Sequence, residues 1–521
     1  LDAHHRSRRS RLLSESVMQQ GTRRHRLLVG LSVALILVVA LSGPNAAKPD
    51  LRSGWPLDGL LPFTLSSALV TGLLWVAYAV AAVAIALALW RPVPALGRRT
   101  PWVLGGLGLL AVLAAPIGSA DHVNYAAYGR ILWLGGDPWT ASPADFAGGS
   151  DPITSAVEEP WRTEPSVYGP LATLIQAGAA AIGGTHLRLV VLAWQVVVVA
   201  AWLLVRWCLR RLVDEENAGR VDVLWTLNPL VFAVGVLGAH VDVLATALVL
   251  TAFVGVGRSA APAGSLVAGG LVAAATSVKF TYAVALLALL LAGRGVRRAL
   301  WLLAGWGAVL VVLHLWTGGH VYDQVGRSRG AVSLATPWRL LLEWSWTSSV
   351  GVSTMRSIIT VAAGVAMIGL AVLIWRATRP LGGREPSERQ GSLGLARRAA
   401  WITLVLTAAY GLLAPYTLPW YDLVAWGLLP LVVPSVLDGI LLARLTLIAV
   451  AYVPGRVIGM TPGVEALTLG LRREVTPWLQ LGLWVVAVTL LLHTTHRRGR
   501  ISDDGGPDGW GHPPAPRRRA R

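Results

Sequence analysis

The feature that most constrains this chain is a series of apolar runs, each about twenty residues long, separated by short arginine clusters. A helix needs ~20 mostly apolar residues to cross the ~30 Å hydrocarbon core of a bilayer. Backbone polar groups inside lipid must bond to one another, so such runs form helices. Of the 521 residues, 54% are hydrophobic and 14% are charged, whereas about a quarter are charged in a soluble domain. The sequence therefore predicts an all-α polytopic membrane protein.

The net charge of +18 comes from basic clusters that lie between the apolar runs and at both ends of the chain. The positive-inside rule produces this distribution, because short loops rich in arginine remain in the cytoplasm. A nucleic-acid-binding domain would instead gather its basic residues on one compact face. The charge pattern therefore indicates membrane topology and no nucleic-acid partner. Abundant Ala, Gly, Val, Leu and Pro, with Arg in place of Lys, is typical of a GC-rich genome such as that of an actinobacterium.

The alternation of basic clusters and apolar runs predicts a topology. Residues 1–26 form a basic cytoplasmic N-terminus, and apolar runs at 27–43, 65–90 and 101–119 predict the first three crossings. A long, acidic, Pro-rich loop at 121–167 then lies on the outer face.

The rest of the chain extends this pattern. The short apolar stretch 168–184 ends in two glycines and is predicted to be interfacial or re-entrant, with the next crossing at 187–206. Residues 27–496 thus form one transmembrane unit of about 12–14 helices. A basic tail at 497–521, rich in Gly and Pro, is predicted to be disordered. Both termini are predicted to be cytoplasmic.

The carboxylate of Asp121 is the strongest candidate for chemistry. It stands where the third apolar run ends, in the string Ser119–Arg130. Ionisable groups at the ends of membrane helices are costly, so each is a candidate functional residue. A carboxylate at this place also fits the N-cap of a following helix. The residues alone leave both roles open.

Three basic residues are candidates for binding a phosphate. Lys279, one of two lysines in the chain, interrupts an apolar stretch of about thirty residues; the alternative is that its side chain reaches along apolar surface to the interface. Arg327 and Arg329 lie in a predicted outer loop, where positive charge runs against the topology rule.

Five short motifs between about residues 100 and 440 resemble, in order, those of the GT-C glycosyltransferases. More narrowly, they resemble the actinobacterial polyprenol-phosphomannose-dependent α-(1→6)-mannosyltransferases. The motifs are Asp121–Arg130, Gly135–Trp139, Tyr168–Leu171, Leu227–Leu230 with Gly238–Asp242, and Leu413–Tyr421. One departure is Val241, which stands where the family pattern His-Asn-Asp has Asn.

The resemblance implies a GT-C-like bundle in the plasma membrane with its active site on the outer face. It implies transfer of mannose, with inversion, from polyprenyl-phosphate-mannose to a mannan or lipoglycan acceptor, with Asp121 as general base. Lys279, Arg327 and Arg329 would bind the donor phosphate. The residues implied to bind substrate are His122, Tyr125, Tyr168, His240, Asp242, Trp420 and Tyr421.

Three further interpretations of the sequence concern metals and competing functions. No cofactor is expected, since two or three His and Asp groups near Asp121 are too few to define a metal site. A GT-C enzyme with another lipid-linked sugar or another acceptor fits the same motifs. A flippase or transporter for lipid-linked sugars is the competing class. Transporters tend to carry internal repeats and ionisable groups at the bilayer midplane, and the sequence shows no fixed-period repeat. The transferase is therefore favoured.

Overall fold

The structure is a computed structural model that describes residues 2–51, 60–90, 93–258, 261–327, 330–379 and 391–503. Within these ranges the chain is helical and contains no β-strand. The helices are α1 Asp2–Leu41, α2 Ser67–Trp90, α3 Thr100–Leu113, α4 Asp121–Trp133, α5 Pro170–Gly183, α6 Leu187–Leu212, α7 Ala218–Val221, α8 Pro229–Val231, α9 Val241–Arg258, α10 Pro262–Val278, α11 Val284–Ala292, α12 Val296–Thr317, α13 Asp323–Arg327, α14 Trp338–Trp344, α15 Val352–Thr378, α16 Gly391–Leu413, α17 Leu423–Leu428, α18 Val436–Tyr452, α19 Pro462–Gly470 and α20 Thr476–Asp503.

In the described part of the chain, eight helical segments are long and apolar enough to cross a membrane, which confirms the predicted all-α, multi-pass class. They are Gln20–Leu41, Ser67–Leu89, Leu187–Leu212, Glu215–Leu237, Val241–Arg258, Val296–Thr317, Val352–Thr378 and Pro462–Arg498. Three shorter apolar helices accompany them: Pro170–Gly183, Pro262–Val278 and Phe280–Ala292. The predicted count of about 12–14 crossings is larger than eight, because several apolar runs fold into helices that are short or broken.

The third apolar run differs from its prediction as one helix over 101–119. Helix α3 ends at Leu113 and a new helix, α4, begins at Asp121. Pro116 lies between them, and Gly118 has a φ of +85°. Proline disfavours helical geometry in the residue before it, and a positive φ is readily adopted by glycine. The segment 121–167, predicted as a loop, therefore opens with a helix.

Helix α5 and the C-terminal end of α20 also differ from expectation. Helix α5 is short, as predicted, but it packs against α4 and α6 with most of one face buried in the protein. Helix α20 continues to Asp503, so the predicted disordered tail from 497 begins within a helix. Residues 504–521 of that tail lie outside the described residues.

A buried, interrupted helical segment at residues 218–237 forms the centre of the bundle. Two π-helical turns, Asp222–Thr226 and Phe232–Leu237, flank a break at Asn228 and Pro229. The Asn228 side chain accepts hydrogen bonds from the backbone of Leu230 and Val231 at 3.0 and 3.4 Å. It therefore caps α8, the role for which Asn is favoured. The Asn-Pro-Leu motif restarts a helix inside the core.

Helices α4 and α5 approach each other closely at Gly129. A Cβ built on Gly129 would lie 2.4 Å from the backbone of Gln176, well inside van der Waals contact. We expect Gly129→Ala to destabilise the protein by about 1–3 kcal/mol, the usual cost of overpacking a close contact. The measurement is thermal unfolding of the full chain in detergent. Gly178→Ala in α5 is the matched control, since its Cβ would meet nothing within 4 Å. Equal unfolding temperatures for the two variants would contradict the prediction.

Candidate active site

Asp121 is the first residue of α4, and its carboxylate points toward His240. The Oδ2 atom of Asp121 lies 3.5 Å from Nδ1 of His240, with 15% of the Asp121 side chain exposed. The residue before the helix is Ala120, and no side-chain cap is present there. Asp121 therefore does not act as an N-cap, which was the alternative that the sequence left open.

Burial changes the proton affinity of the Asp121 carboxylate. Asp121 lies in helix α4, which is not one of the eight segments that are long and apolar enough to cross a membrane. Desolvation raises the pKa of Asp121 from 3.8 to about 7, and the positive charge of Lys279 opposes this rise. A carboxylate in apolar surroundings binds a proton more tightly because its charged form is poorly solvated. Its pKa of about 7 suits a base that exchanges protons near neutral pH.

His240, the residue that Asp121 contacts, is surrounded by aromatic and hydroxyl groups. Its ring stacks on Trp420, with centroids 3.6 Å apart and an interplanar angle of 13°. The hydroxyl of Tyr125 lies 3.4 Å from Nδ1, and Oγ of Ser119 lies 3.4 Å from Nε2. The structure thus brings together Asp121, Tyr125, His240 and Trp420, four residues that the sequence placed at the site.

The backbone just before His240 has an unusual conformation. Ala239 has a φ of +57° and is fully buried. A residue with a Cβ is rarely found there, because its side chain crowds the backbone. The indole Nε1 of Trp194 donates to the Ala239 carbonyl at 2.8 Å and holds this turn in place. Strained backbone of this kind clusters at functional sites, and no sequence signal pointed to Trp194 or to this turn.

A second charged group consists of Asp242 and Lys279. Lys279 is the residue at which α10 ends, before a 3-10 turn at Phe280–Ala283. Its Nζ donates to Asp242 Oδ1 at 2.8 Å and lies 3.5 Å from the centroid of the Tyr421 ring. The hydroxyl of Tyr282 donates to the Asp242 carbonyl at 3.0 Å. The lysine side chain therefore turns toward Asp242 and is mostly buried.

The two charged groups lie close enough for Lys279 and Asp121 to interact electrostatically. Asp242 Oδ2 is buried and has no hydrogen-bond partner among the described residues. A buried carboxylate oxygen normally has one. Both groups therefore contribute to one site, in which at least one acceptor atom is free to bind a ligand.

Tyr168 closes another side of this site. Its ring meets the Tyr125 ring edge to face, with centroids 4.9 Å apart. The next residue, Gly169, lies against the end of α10, where a Cβ would come within 2.2 Å of the Ser277 carbonyl oxygen. The Tyr-Gly-Pro motif thus fixes the start of α5 against the end of the helix that leads to Lys279.

His122, the residue after Asp121, is buried. Its ring nitrogens have no hydrogen-bond partner among the described residues. Burial lowers the pKa of His122 to about 3, and the charges of Arg456 and Arg188 lower it further. The ring is therefore neutral near pH 7. None of the described hydrogen bonds joins it to the rest of the site, so its predicted contact with substrate stays a prediction.

The two other basic candidates lie outside the described side chains, and two further arginines, Arg456 and Arg472, have partners within the protein. The side chain of Arg327 and the whole of Arg329 are outside the described residues, so their phosphate-binding role stays a prediction. Arg456 pairs with Glu158. Arg472 donates to the carbonyls of Ala451 and Tyr452, each at 2.9 Å.

An apolar cavity of about 360 Å³ opens beside Asp242, Tyr282 and Tyr421. It lies between the turn Phe280–Ala283 and helix α16, and most of its wall is hydrocarbon or aromatic. In the part of the chain that the structure describes, no cluster of three or more His, Cys, Asp or Glu residues could hold a metal ion. The site therefore combines a carboxylate, a buried ion pair and an apolar cavity.

Comparison with known proteins gives partial matches of about 30% identity. A probable α-(1→6)-mannopyranosyltransferase of Mycolicibacterium smegmatis is 33% identical over 141 residues, 27% of this chain and 25% of its own. In Corynebacterium glutamicum, α-(1→6)-mannopyranosyltransferase A is 30% identical over 178 residues, 34% of this chain and 35% of its own. The B protein is 30% identical over 134 residues, 25% of this chain and 22% of its own. The matched segments thus span about a third or less of each relative.

No solved structure matches the chain. The family model for the N-terminal domain of α-(1→6)-mannopyranosyltransferases matches residues 27–295, slightly more than half of the chain. That range contains Asp121, His240, Asp242 and Lys279. By this match, the chain belongs to the α-(1→6)-mannopyranosyltransferase family.

Proposed function

We propose that this protein transfers mannose, with inversion, from polyprenyl-phosphate-mannose to a mannan or lipoglycan acceptor at the outer face of the plasma membrane. The observation that carries the proposal is the arrangement of Asp121, the Asp242–Lys279 ion pair and the apolar cavity around one site. A base, a cation and an apolar space beside them are the three elements that this reaction needs.

Asp121 is the general base of this mechanism. As the acceptor hydroxyl attacks the anomeric carbon, its proton passes to Asp121 Oδ2 and the new glycosidic bond forms. The bond from the anomeric carbon to the phosphate oxygen breaks in the same displacement, so the configuration inverts. The bonding electrons leave with polyprenyl phosphate. One correctly placed carboxylate supports a displacement of this kind.

Lys279 stabilises the leaving phosphate. Negative charge accumulates on that oxygen as the bond breaks, and a cation fixed in advance in a dry site is effective at stabilising such charge. The partial burial of Lys279 and its contact with the Tyr421 ring hold the ammonium in place. The donor phosphate would share this ammonium with Asp242.

In this proposal the apolar cavity binds the part of the donor's prenyl chain that is next to the phosphate. Its wall includes Asp242 and Tyr421, beside the proposed phosphate site, together with Phe280 and with Leu406 and Tyr410 of α16. Ligand pockets with mostly apolar walls and few polar groups bind ligands of this character. The sugar would then lie toward Asp121 and Tyr168, on the side of the site that carries the base.

Transfer of radiolabelled mannose in isolated membranes tests the proposal. Membranes containing the full chain would receive polyprenyl-phosphate-[14C]mannose and a short α-mannoside. We expect a longer α-(1→6)-linked product, which membranes lacking the protein do not form. No product with this donor, but transfer from another polyprenyl-phosphate sugar, would change the donor assignment. Movement of lipid-linked sugar across vesicles without any transfer would support the competing flippase.

The pKa of Asp121 gives this activity an expected pH dependence. The base works only when deprotonated, and its pKa is about 7. We therefore expect kcat/KM to be constant above this pH and to fall about tenfold per unit below it. The measurement is the initial rate at low acceptor concentration across the range from about pH 5 to 9. A rate that stays constant down to pH 5 would exclude Asp121 as the base with this pKa.

A further inference from the structure

A groove separate from the catalytic site runs between α3 and α6. It has a volume of about 900 Å³ and shares no lining residue with the cavity at Asp242. Its apolar wall includes Leu104, Leu109 and Val112 of α3 and Leu203 of α6. We call this feature the α3–α6 groove. Helix α3 has 14 residues, fewer than the ~20 that a full crossing requires.

Arginines gather at one end of the α3–α6 groove. Arg206, Arg210 and Arg211 line it there, opposite Pro101 at the start of α3. The two residues immediately before α3 are Arg98 and Arg99, both exposed. The opposite end of the groove is apolar, so its charge is polarised along its length.

These arginines differ in how far protein carboxylates neutralise them. Arg206 pairs with buried Asp222 at 3.0 Å and is neutralised. Arg210 pairs with Glu215, whose side chain is 90% exposed, so that pair is weak. Arg211 lies over the Trp207 ring at 5.0 Å and has no carboxylate within 4 Å among the described residues. The groove therefore ends in guanidinium charge that is free to bind an anion.

Two exposed tryptophans place this end of the groove at a membrane–water interface. Trp102, in the first turn of α3, is 85% exposed, and Trp207 is 41% exposed. Tryptophan is enriched where the lipid headgroups begin, because its ring is apolar and its N–H is polar. With apolar walls in the hydrocarbon region and guanidinium groups at headgroup level, the groove matches a ligand that has an anionic head and apolar tails.

We propose that the α3–α6 groove binds an anionic glycerophospholipid, with its phosphate at Arg210 and Arg211 and its acyl chains along α3. Guanidinium groups bind phosphate oxygens with paired hydrogen bonds. Basic pockets between membrane helices bind anionic headgroups in the same way. The Trp207 ring, held between Arg211 and Arg258 at 5.0 and 5.3 Å, keeps the basic end ordered. This inference needs membrane insertion and does not depend on the transferase activity.

Native mass spectrometry of the full chain in detergent tests this site. The probes are dioleoylphosphatidylglycerol and, as the zwitterionic comparison, dioleoylphosphatidylcholine. We expect the anionic lipid to bind about tenfold more tightly or better, since two basic residues near a headgroup supply a preference of that order. The double variant Arg210→Gln with Arg211→Gln should lose most of this preference. Equal binding of the two lipids by the unmodified protein would overturn the proposal.

Two glycines of α3 provide a test that leaves the charges intact. A Cβ on Gly105 or on Gly106 would meet nothing within 4 Å, but only Gly105 lines the groove. We expect Gly105→Leu to fill the groove and reduce phosphatidylglycerol binding, and Gly106→Leu to leave it unchanged. Equal binding by the two variants would contradict the site. Displacement of phosphatidylglycerol by an equimolar amount of undecaprenyl phosphate would assign the groove to the prenyl lipid and also overturn the proposal.

Discussion

Replacing Asp121 with Asn is expected to reduce mannose transfer by about 10²- to 10⁴-fold, the usual contribution of a general base. The asparagine has nearly the same shape but cannot take the acceptor's proton. The enzyme should still bind its donor, because Lys279 and the apolar cavity are unchanged. The measurement is the initial rate of transfer in membranes with matched amounts of protein.

The same substitution is expected to leave the fold intact. The pKa of Asp121 in the folded protein, about 7, lies above its ordinary value of 3.8. The folded state therefore binds the proton more tightly than the unfolded state, and this residue's contribution to stability falls as pH rises through that interval. A neutral Asn removes this penalty, so the unfolding temperature at about pH 8 should be equal or higher.

A matched control is Asp323→Asn, which removes an exposed carboxylate at the start of α13. This variant should transfer mannose at the unmodified rate. Normal transfer by the Asp121 variant would remove that residue from the chemistry. A rate that falls equally in both variants would point to a general effect of charge.

The second large effect is expected at the Asp242–Lys279 pair. Lys279→Met leaves the Asp242 carboxylate buried without its partner, a change that costs about 3–5 kcal/mol in other proteins. We expect a clear loss of unfolding temperature in detergent. In the proposed mechanism the leaving phosphate also loses its cation, so transfer should fall by about 10²-fold or more.

A double variant separates the structural role of this pair from its catalytic role. Replacing both charges, with Asp242→Asn and Lys279→Met, removes the unpaired carboxylate, and such neutral replacements are often well tolerated. The hydroxyl of Tyr282 would keep its hydrogen bond to the backbone carbonyl of residue 242. We expect most of the stability to return while transfer stays low. Full recovery of transfer would show that the pair serves only the fold.

Several site residues could be predicted because they break a local pattern. Asp121 and Lys279 are charges beside apolar runs, where only a function or a partner offsets their cost. Trp420 and Tyr421 could be identified only through their resemblance to a family motif. The structure then places Trp420 on His240 and Tyr421 beneath Lys279.

Other features of the site had no local signal. Trp194 lies in an apolar run like any other tryptophan, yet its N–H holds the strained turn at Ala239. Ala239 has a positive φ, which a residue with a Cβ rarely adopts. The residue type therefore gives no indication of this conformation. Asp242 and Lys279 are 37 residues apart, and Glu158 and Arg456 are 298 apart. Contacts between residues so far apart in the chain cannot be predicted from their spacing in the sequence.

The sequence by itself determined the membrane class and the helical architecture, and it singled out the carboxylate that is proposed as the base. These properties depend on the cost of placing each residue in lipid, which is set locally, residue by residue. Only the tertiary structure decided that Lys279 turns to Asp242, and where the apolar cavity lies. Those outcomes depend on how helices pack, and packing is set by contacts between distant segments.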